Sequence, residues 1–78
     1  MFEVKAPMLG QSGMPITLEQ WFFKEGEHVE KGESLFELSN EKLNQEIESP
    51  VSGTVEKLIA AEGVEVEVGE LLATIKED

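Results

Sequence analysis

Internal repetition is the feature that most restricts how this chain can fold. When residues 17–38 (TLEQWFFKEGEHVEKGESLFEL) are laid on residues 54–75 (TVEKLIAAEGVEVEVGELLATI), nine of the 22 positions are identical. A period of this size is that of a supersecondary unit used twice. The identities are Thr17/Thr54, Glu19/Glu56, Glu25/Glu62, Gly26/Gly63, Val29/Val66, Glu30/Glu67, Gly32/Gly69, Glu33/Glu70 and Leu35/Leu72. Apolar residues also replace one another at Leu18/Val55, Trp21/Leu58, Phe22/Ile59 and Leu38/Ile75. Two acidic stretches share glutamates easily. They do not so easily share both glycines and the apolar columns in register.

In each copy an apolar segment runs to Glu-Gly, a valine follows, and a second glycine comes six residues after the first. Glycine reaches positive φ at little cost, so glycines paired at fixed spacing mark turns. Between them Val64-Glu65-Val66-Glu67-Val68 alternates strictly, as do Leu71, Ala73 and Ile75, and Phe36 with Leu38 in the matching place. That is the period of a strand. Helix formers in residues 56–62 and 35–47 argue the other way. Gly26, Gly32, Gly53, Gly63 and Gly69, with Pro7, Pro15 and Pro50, cut the chain into pieces too short for ordinary helices.

The spacing therefore predicts strands over residues 2–6, 16–23, 29–30, 34–38, 43–48, 53–59, 66–67 and 71–76. Two copies of a few short strands make an all-β sandwich or flattened barrel with pseudo-two-fold symmetry. The expected core is Val4, Leu18, Trp21, Phe22, Val29, Leu35, Phe36, Leu38, Ile47, Val51, Val55, Leu58, Ile59, Val66, Leu71, Leu72, Ala73 and Ile75. With 78 residues, the chain reads as one domain spanning residues 1–78, with little room for the deep pocket that an enzyme needs.

Charge and composition exclude more. Seventeen acidic residues stand against six basic ones, all lysines, for a net charge of -11. Nucleic acid and an anionic membrane surface would both be repelled. No apolar run approaches the roughly 18 residues of a membrane span, and residues 1–5 have no signal-peptide core, so a cytoplasmic protein is expected. The chain has no cysteine, which removes disulfides, thiolate metal sites and cysteine nucleophiles. His28 is the only histidine; without partners of catalytic or metal-ligating type it reads as a surface residue. Gly26 and Gly32 have turn spacing and lack the Lys-Ser/Thr of a phosphate loop. Carboxylates abound, yet no spacing singles out an acid and a base, so the chain is read as a non-catalytic binding or carrier module.

Between the two copies, residues 39–42 (Ser-Asn-Glu-Lys) separate two predicted strands. Serine and asparagine there favour a tight turn. The resulting hairpin presents Lys42 where another protein's active site can reach it. A lysine amine attacks only when deprotonated, so an external enzyme would have to supply an activated acyl group and take up the proton. Exposure alone separates Lys42 little from Lys5, Lys24, Lys31, Lys57 and Lys76, since an exposed turn lysine is ordinarily a solvated charge.

Motifs over the whole length add a resemblance. Asn40-Glu41-Lys42-Leu43, followed by Ser49-Pro50-Val51-Ser52-Gly53, is similar to the attachment hairpin of lipoyl domains. Pro7-Met8-Leu9-Gly10, Trp21, Glu25-Gly26, Val29, Lys31-Gly32-Glu33, Glu62-Gly63 and Val68-Gly69 also match that family's pattern. The resemblance implies a flattened barrel of two four-stranded antiparallel sheets, with the lysine hairpin at one end and both termini at the other. It implies lipoate amide-linked to Lys42, with Asn40, Glu41 and Leu43 as hairpin neighbours. It also implies a lipoate ligase or lipoyl transferase that loads the arm. The loaded arm would visit a thiamine diphosphate-dependent dehydrogenase, an acyltransferase and a flavin dihydrolipoamide dehydrogenase of a 2-oxo acid or acetoin dehydrogenase complex. Glu41, in place of the commoner Asp, looks more like the acetoin branch. In the family the loop after the first strand lies beside the hairpin, a place filled here by Gly10, Gln11, Ser12 and Gly13. Glu46 and Glu48, with Glu41, are the acidic residues expected to meet partner enzymes. The domain itself is expected to be monomeric.

Two other readings share the fold. Biotinyl domains place their lysine in Met-Lys-Met, where this chain has Glu41 and Leu43. Unmodified structural barrels of this type, as in secretion adaptors, split the halves with a long helical insertion, which is absent between Leu38 and Leu43.

Overall fold

The computed structural model describes residues 1–9 and 15–78. Eight strands follow in order: β1 (Phe2–Lys5), β2 (Ile16–Trp21), β3 (His28–Val29), β4 (Ser34–Ser39), β5 (Asn44–Glu48), β6 (Gly53–Leu58), β7 (Glu65–Val66) and β8 (Leu71–Glu77). Each predicted strand is present, with ends moved by one or two residues. All pairings are antiparallel. One four-stranded sheet has the order β1-β8-β6-β3, the other β5-β4-β2-β7. The repeat maps β2, β3 and β4 onto β6, β7 and β8, and with β1 set against β5 the two sheet orders become identical. Each sheet draws strands from both copies, so neither copy could bury its apolar face alone.

The turn glycines behave as their spacing predicts. Gly26, Gly32, Gly63 and Gly69 have φ of 91°, 94°, 86° and 87°, the left-handed region that a Cβ disfavours. In the turns that end at Gly32 and Gly69, a glutamate one position beyond the glycine turns back. Glu33 Oε1 accepts from Glu30 N at 2.8 Å, and Glu70 Oε1 accepts from Glu67 N at 2.9 Å.

Four bulges, also in repeat-related pairs, give the sheets their curvature. The register skips one residue at Glu19 between β2 and β4, and at Glu56 between β6 and β8. It skips Leu35 between β4 and β5, and Leu72 between β8 and β1. An extra residue turns over every side chain that follows it. After Glu19 the inward residues are Trp21 and Phe23; after Glu56 they are Leu58 and Ala60. Phe22 and Ile59, expected in the core, are instead 39% and 49% exposed.

Leu18, Val29, Leu35, Phe36, Leu38, Val55, Leu72 and Ile75 are wholly buried between the sheets, joined by Val4, Val66 and Ala73. Trp21, Ile47, Val51 and Leu58 pack against them, half-buried. Leu71 is half-buried too. Ala6, Leu9, Ile16 and Ala60 are buried as well, although their local patterns did not mark them. The Trp21 ring lies tilted on Phe36 with centroids 5.1 Å apart, and its Nε1 donates to the Ala60 carbonyl at 2.9 Å. That bond satisfies the indole of one copy with the backbone of the other.

Two further contacts exchange partners between the copies. Glu62 Oε2 accepts from Trp21 N at 2.8 Å, and Glu25 Oε2 accepts from Leu58 N at 2.9 Å. Both donors follow a bulge, where the ladder is interrupted. These identical glutamates therefore serve the backbone of the opposite copy.

The candidate functional site at the 40–43 hairpin

Residues 40–43 connect β4 to β5, whose last rung pairs Ser39 with Asn44. In the other sheet the equivalent neighbours are β8 and β1, and there the connection is missing: β8 runs out to Asp78 and β1 starts at Phe2. Asp78 lies against Ser52 and His28, beside the turn that opens β4. The 40–43 loop closes β4 at its far end. Hairpin and chain ends thus occupy opposite ends of the barrel.

The loop owes its shape to Asn40. Its backbone N–H donates to the Leu43 carbonyl at 2.9 Å. Its side-chain Oδ1 accepts from Lys42 N at 2.8 Å and from Leu43 N at 2.9 Å, a carbonyl mimic of the kind that makes asparagine a turn residue. Its Nδ2 donates to the Leu9 carbonyl at 3.0 Å, tying the loop to the segment that follows β1. These partners fix the amide orientation, since a flipped amide would turn its NH₂ toward two N–H donors.

The base of the hairpin is held as firmly. Ser39, buried, donates its hydroxyl to the Glu19 carboxylate; the bulge aims Glu19 at that position. Glu37 accepts from Gln20 Nε2 at 2.8 Å and from Asn44 Nδ2 at 3.3 Å. Nothing in the local sequence pointed to Leu9 or Glu19 as supports, because both meet the hairpin from distant parts of the chain.

On this frame Glu41, Lys42 and Leu43 are exposed. Among the described residues Lys42 makes no ion pair. Among those residues no cluster of His, Asp and Glu suited to a metal ion is present.

The remaining expected contacts are spread more widely. Gly10, Gln11, Ser12 and Gly13 lie outside the described residues, although Leu9 reaches the hairpin through Asn40 and β2 runs beside its base. Glu46 accepts from Ser34 Oγ at 2.7 Å, and Glu48 pairs opposite Ser34 at the other end of β5. Glu48 stands about 13 Å along the strand from Asn44, four steps at roughly 3.3 Å each. Glu41 alone of the three shares the loop with Lys42. His28, on β3, belongs to the opposite end: its Nε2 is 2.9 Å from Asp78 Oδ2 and its Nδ1 3.7 Å from Glu30 Oε1. The Asp78 hydrogen bond above all, and the nearby charges of Asp78, Glu30 and Glu33, raise its pKa against the opposing effect of desolvation.

Fold and hairpin together define a class: a pseudo-symmetric β scaffold whose two halves are joined by a braced hairpin that exposes a lysine. The profile of the biotin/lipoyl family, described as "Biotin-requiring enzyme", matches residues 2–75. The dihydrolipoyllysine-residue succinyltransferase component of the 2-oxoglutarate dehydrogenase complex of Rickettsia bellii is 40% identical over 96% of this chain and 19% of its own length. The dihydrolipoyllysine-residue acetyltransferase component of the pyruvate dehydrogenase complex of Acholeplasma laidlawii is 41% identical over 96% of this chain and 14% of its own. The chain thus spans a fifth or less of these two relatives. Among solved structures, the lipoyl domain of the Azotobacter vinelandii 2-oxoglutarate dehydrogenase complex superposes with a TM-score of 0.81 at 28% identity, covering 99% of this chain and 98% of that one. This chain belongs to the biotin/lipoyl attachment family.

Proposed function

We propose that this chain is a lipoyl carrier domain with lipoate joined as an amide to Lys42. The observation that carries the reading is the exposed Lys42 at the apex of a braced hairpin, on a barrel that superposes on a lipoyl domain. In loading, a lipoate ligase or lipoyl transferase supplies an activated lipoyl carboxyl. The Lys42 ammonium gives up two protons, one to become nucleophilic and one as the C–N bond forms, and the activating group leaves. Bound lipoate supplies a disulfide that can be reductively acylated and later reoxidised. The chain's own residues contribute presentation. Asn40 shapes the loop, Ser39 and Glu19 anchor its base, and Glu41 and Leu43 flank the lysine.

The partners that follow from this reading are a thiamine diphosphate-dependent dehydrogenase, an acyltransferase and a flavin dihydrolipoamide dehydrogenase. A tethered carrier raises the effective concentration of its cargo at each of them. The relatives divide between succinyl and acetyl transfer, and Glu41 adds the acetoin complex as a third candidate. The test is to load the domain with lipoate and offer it separately to the dehydrogenase components for 2-oxoglutarate, pyruvate and acetoin, each with its substrate. Intact mass reads the acyl group gained. One of the three is expected to acylate the loaded domain and to leave Lys42→Ala untouched. Loading with biotin instead of lipoate, or no acylation by any of the three, would overturn the proposal.

A further inference from the structure

We propose that the Asn40 side-chain carbonyl is the positioning group that makes Lys42 a substrate for its modifying enzyme, by holding the hairpin tip in the one shape that enzyme reads. This deepens the carrier reading above and rests on it. In a two-residue hairpin loop the residue after the tip ordinarily returns its N–H to the backbone carbonyl of the residue before it. Here Leu43 N instead reaches Asn40 Oδ1 at 2.9 Å, and Lys42 N reaches the same oxygen at 2.8 Å. One side-chain atom thus holds both amides at the apex, including that of the lysine to be modified. Among the described residues the other bond across the loop is that from Asn40 N to the Leu43 carbonyl, 2.9 Å, which leaves the Lys42 and Leu43 amides to the side chain; Glu41, Lys42 and Leu43 are exposed. The Nδ2 bond to the Leu9 carbonyl, 3.0 Å, sets the orientation of the whole amide.

Removing the acceptor leaves Lys42 attached to a loop that samples several shapes. If only the observed shape is accepted, the apparent affinity of the modifying enzyme drops by the fraction of loops that retain it, while the chemical step in the bound complex is unchanged. A carboxylate in place of the amide keeps the acceptor for both N–H groups, while it loses the donor to Leu9 and sets an anionic oxygen against that carbonyl. Asn40→Asp therefore separates clamping the tip from tethering it.

The experiment uses the wild-type domain, Asn40→Ala and Asn40→Asp, with a purified lipoate ligase, lipoate and ATP. Lipoyl transfer is followed by intact mass at varied domain concentration. Thermal melts establish that each variant is folded, and NMR temperature coefficients of the Lys42 and Leu43 amides report whether they remain hydrogen-bonded. Asn40→Ala is expected to raise KM about tenfold with kcat unchanged, and to give both amides the coefficients of solvent-bonded groups. Asn40→Asp is expected to restore KM to within about twofold of wild type, with both amides bonded. A folded Asn40→Ala domain loaded at the wild-type KM would overturn the positioning role, and so would an Asn40→Asp domain as poor as Asn40→Ala. A wild-type domain that takes no lipoyl group would sink the carrier reading itself, and the positioning role with it.

Discussion

Gly53 offers the sharpest test of how the two copies fit together. It opens β6, paired with Val29 on one side and Glu77 on the other. A Cβ built on it would stand 2.3 Å from the Lys76 carbonyl oxygen and 2.9 Å from Glu77 Cα. Its counterpart in the first copy is Ile16; the strand beside Ile16 ends at Ser39, paired with Thr17, whereas β8 continues to Glu77, directly opposite Gly53. Both atoms met by the Cβ are backbone, so the strand must move, not merely a side chain. Overpacking of this kind costs about 1–3 kcal/mol, against about 0.4–1 kcal/mol that an alanine returns by stiffening the unfolded chain. For a domain of this size 1 kcal/mol moves Tm by about 4–8 °C. A net loss of about 1.3 kcal/mol for Gly53→Ala thus predicts a Tm lower by about 5–10 °C. Gly26 is the control. Nothing lies within 4 Å of a Cβ there, and its φ of 91° is the obstacle. Asparagine tolerates that conformation better than alanine, so Gly26→Asn is expected to melt above Gly26→Ala. At Gly53 the order should reverse, because asparagine is larger. Calorimetric melts of the four variants decide it. A Gly53→Ala domain melting within about 2 °C of wild type would refute the steric account.

The bulges make a second prediction. Leu58→Ser, on the inward side of the Glu56 bulge, should cost about 1.5–3 kcal/mol in urea unfolding, while Ile59→Ser next to it should stay within about 0.5 kcal/mol. Equal costs would mean the register does not shift. The exchanged glutamates predict that Glu25→Ala and Glu62→Ala each lose about 1–2 kcal/mol by chemical denaturation, from an N–H left without its acceptor. Losses near zero in both would show that water replaces the carboxylates. His28 carries the pH dependence. Its folded pKa lies above the ordinary 6.5, so its contribution is fully present below that value and is lost as pH rises through the folded pKa. NMR titration should show a raised value that falls toward 6.5 in Asp78→Asn; a wild-type value at or below 6.5 contradicts the contact.

Much of the fold was legible because glycine is read without ambiguity. Gly26, Gly32, Gly63 and Gly69 occupy positions whose φ excludes most other residues, and their spacing located the turns and hence the strands. The bulges were not legible. Glu19 and Glu56 look like any outward residue of a strand, and an added residue exists only relative to the partner strand's register. That is why Phe22 and Ile59 were placed in the core and emerged outside it. The hairpin and its lysine could be located from Ser39 and Asn40, which favour a turn. The support of that turn could not, since Leu9 and Glu19 reach it across 31 and 20 positions of chain. The glutamate columns carried a structural meaning that composition concealed. In an acidic chain they read as solvated charge, yet Glu25, Glu33, Glu62 and Glu70 each bond a backbone N–H in repeat-related pairs.

The central claim is that Lys42, alone among six lysines, is the anchoring amine. Peptide mapping by mass spectrometry, after expression beside a lipoate ligase with lipoate in the medium, tests it most directly. One lipoyl group is expected, wholly on the peptide containing Lys42, and none on Lys42→Ala. A lipoyl group spread over Lys5, Lys24, Lys31, Lys57 or Lys76, or a domain that remains unmodified, would contradict it.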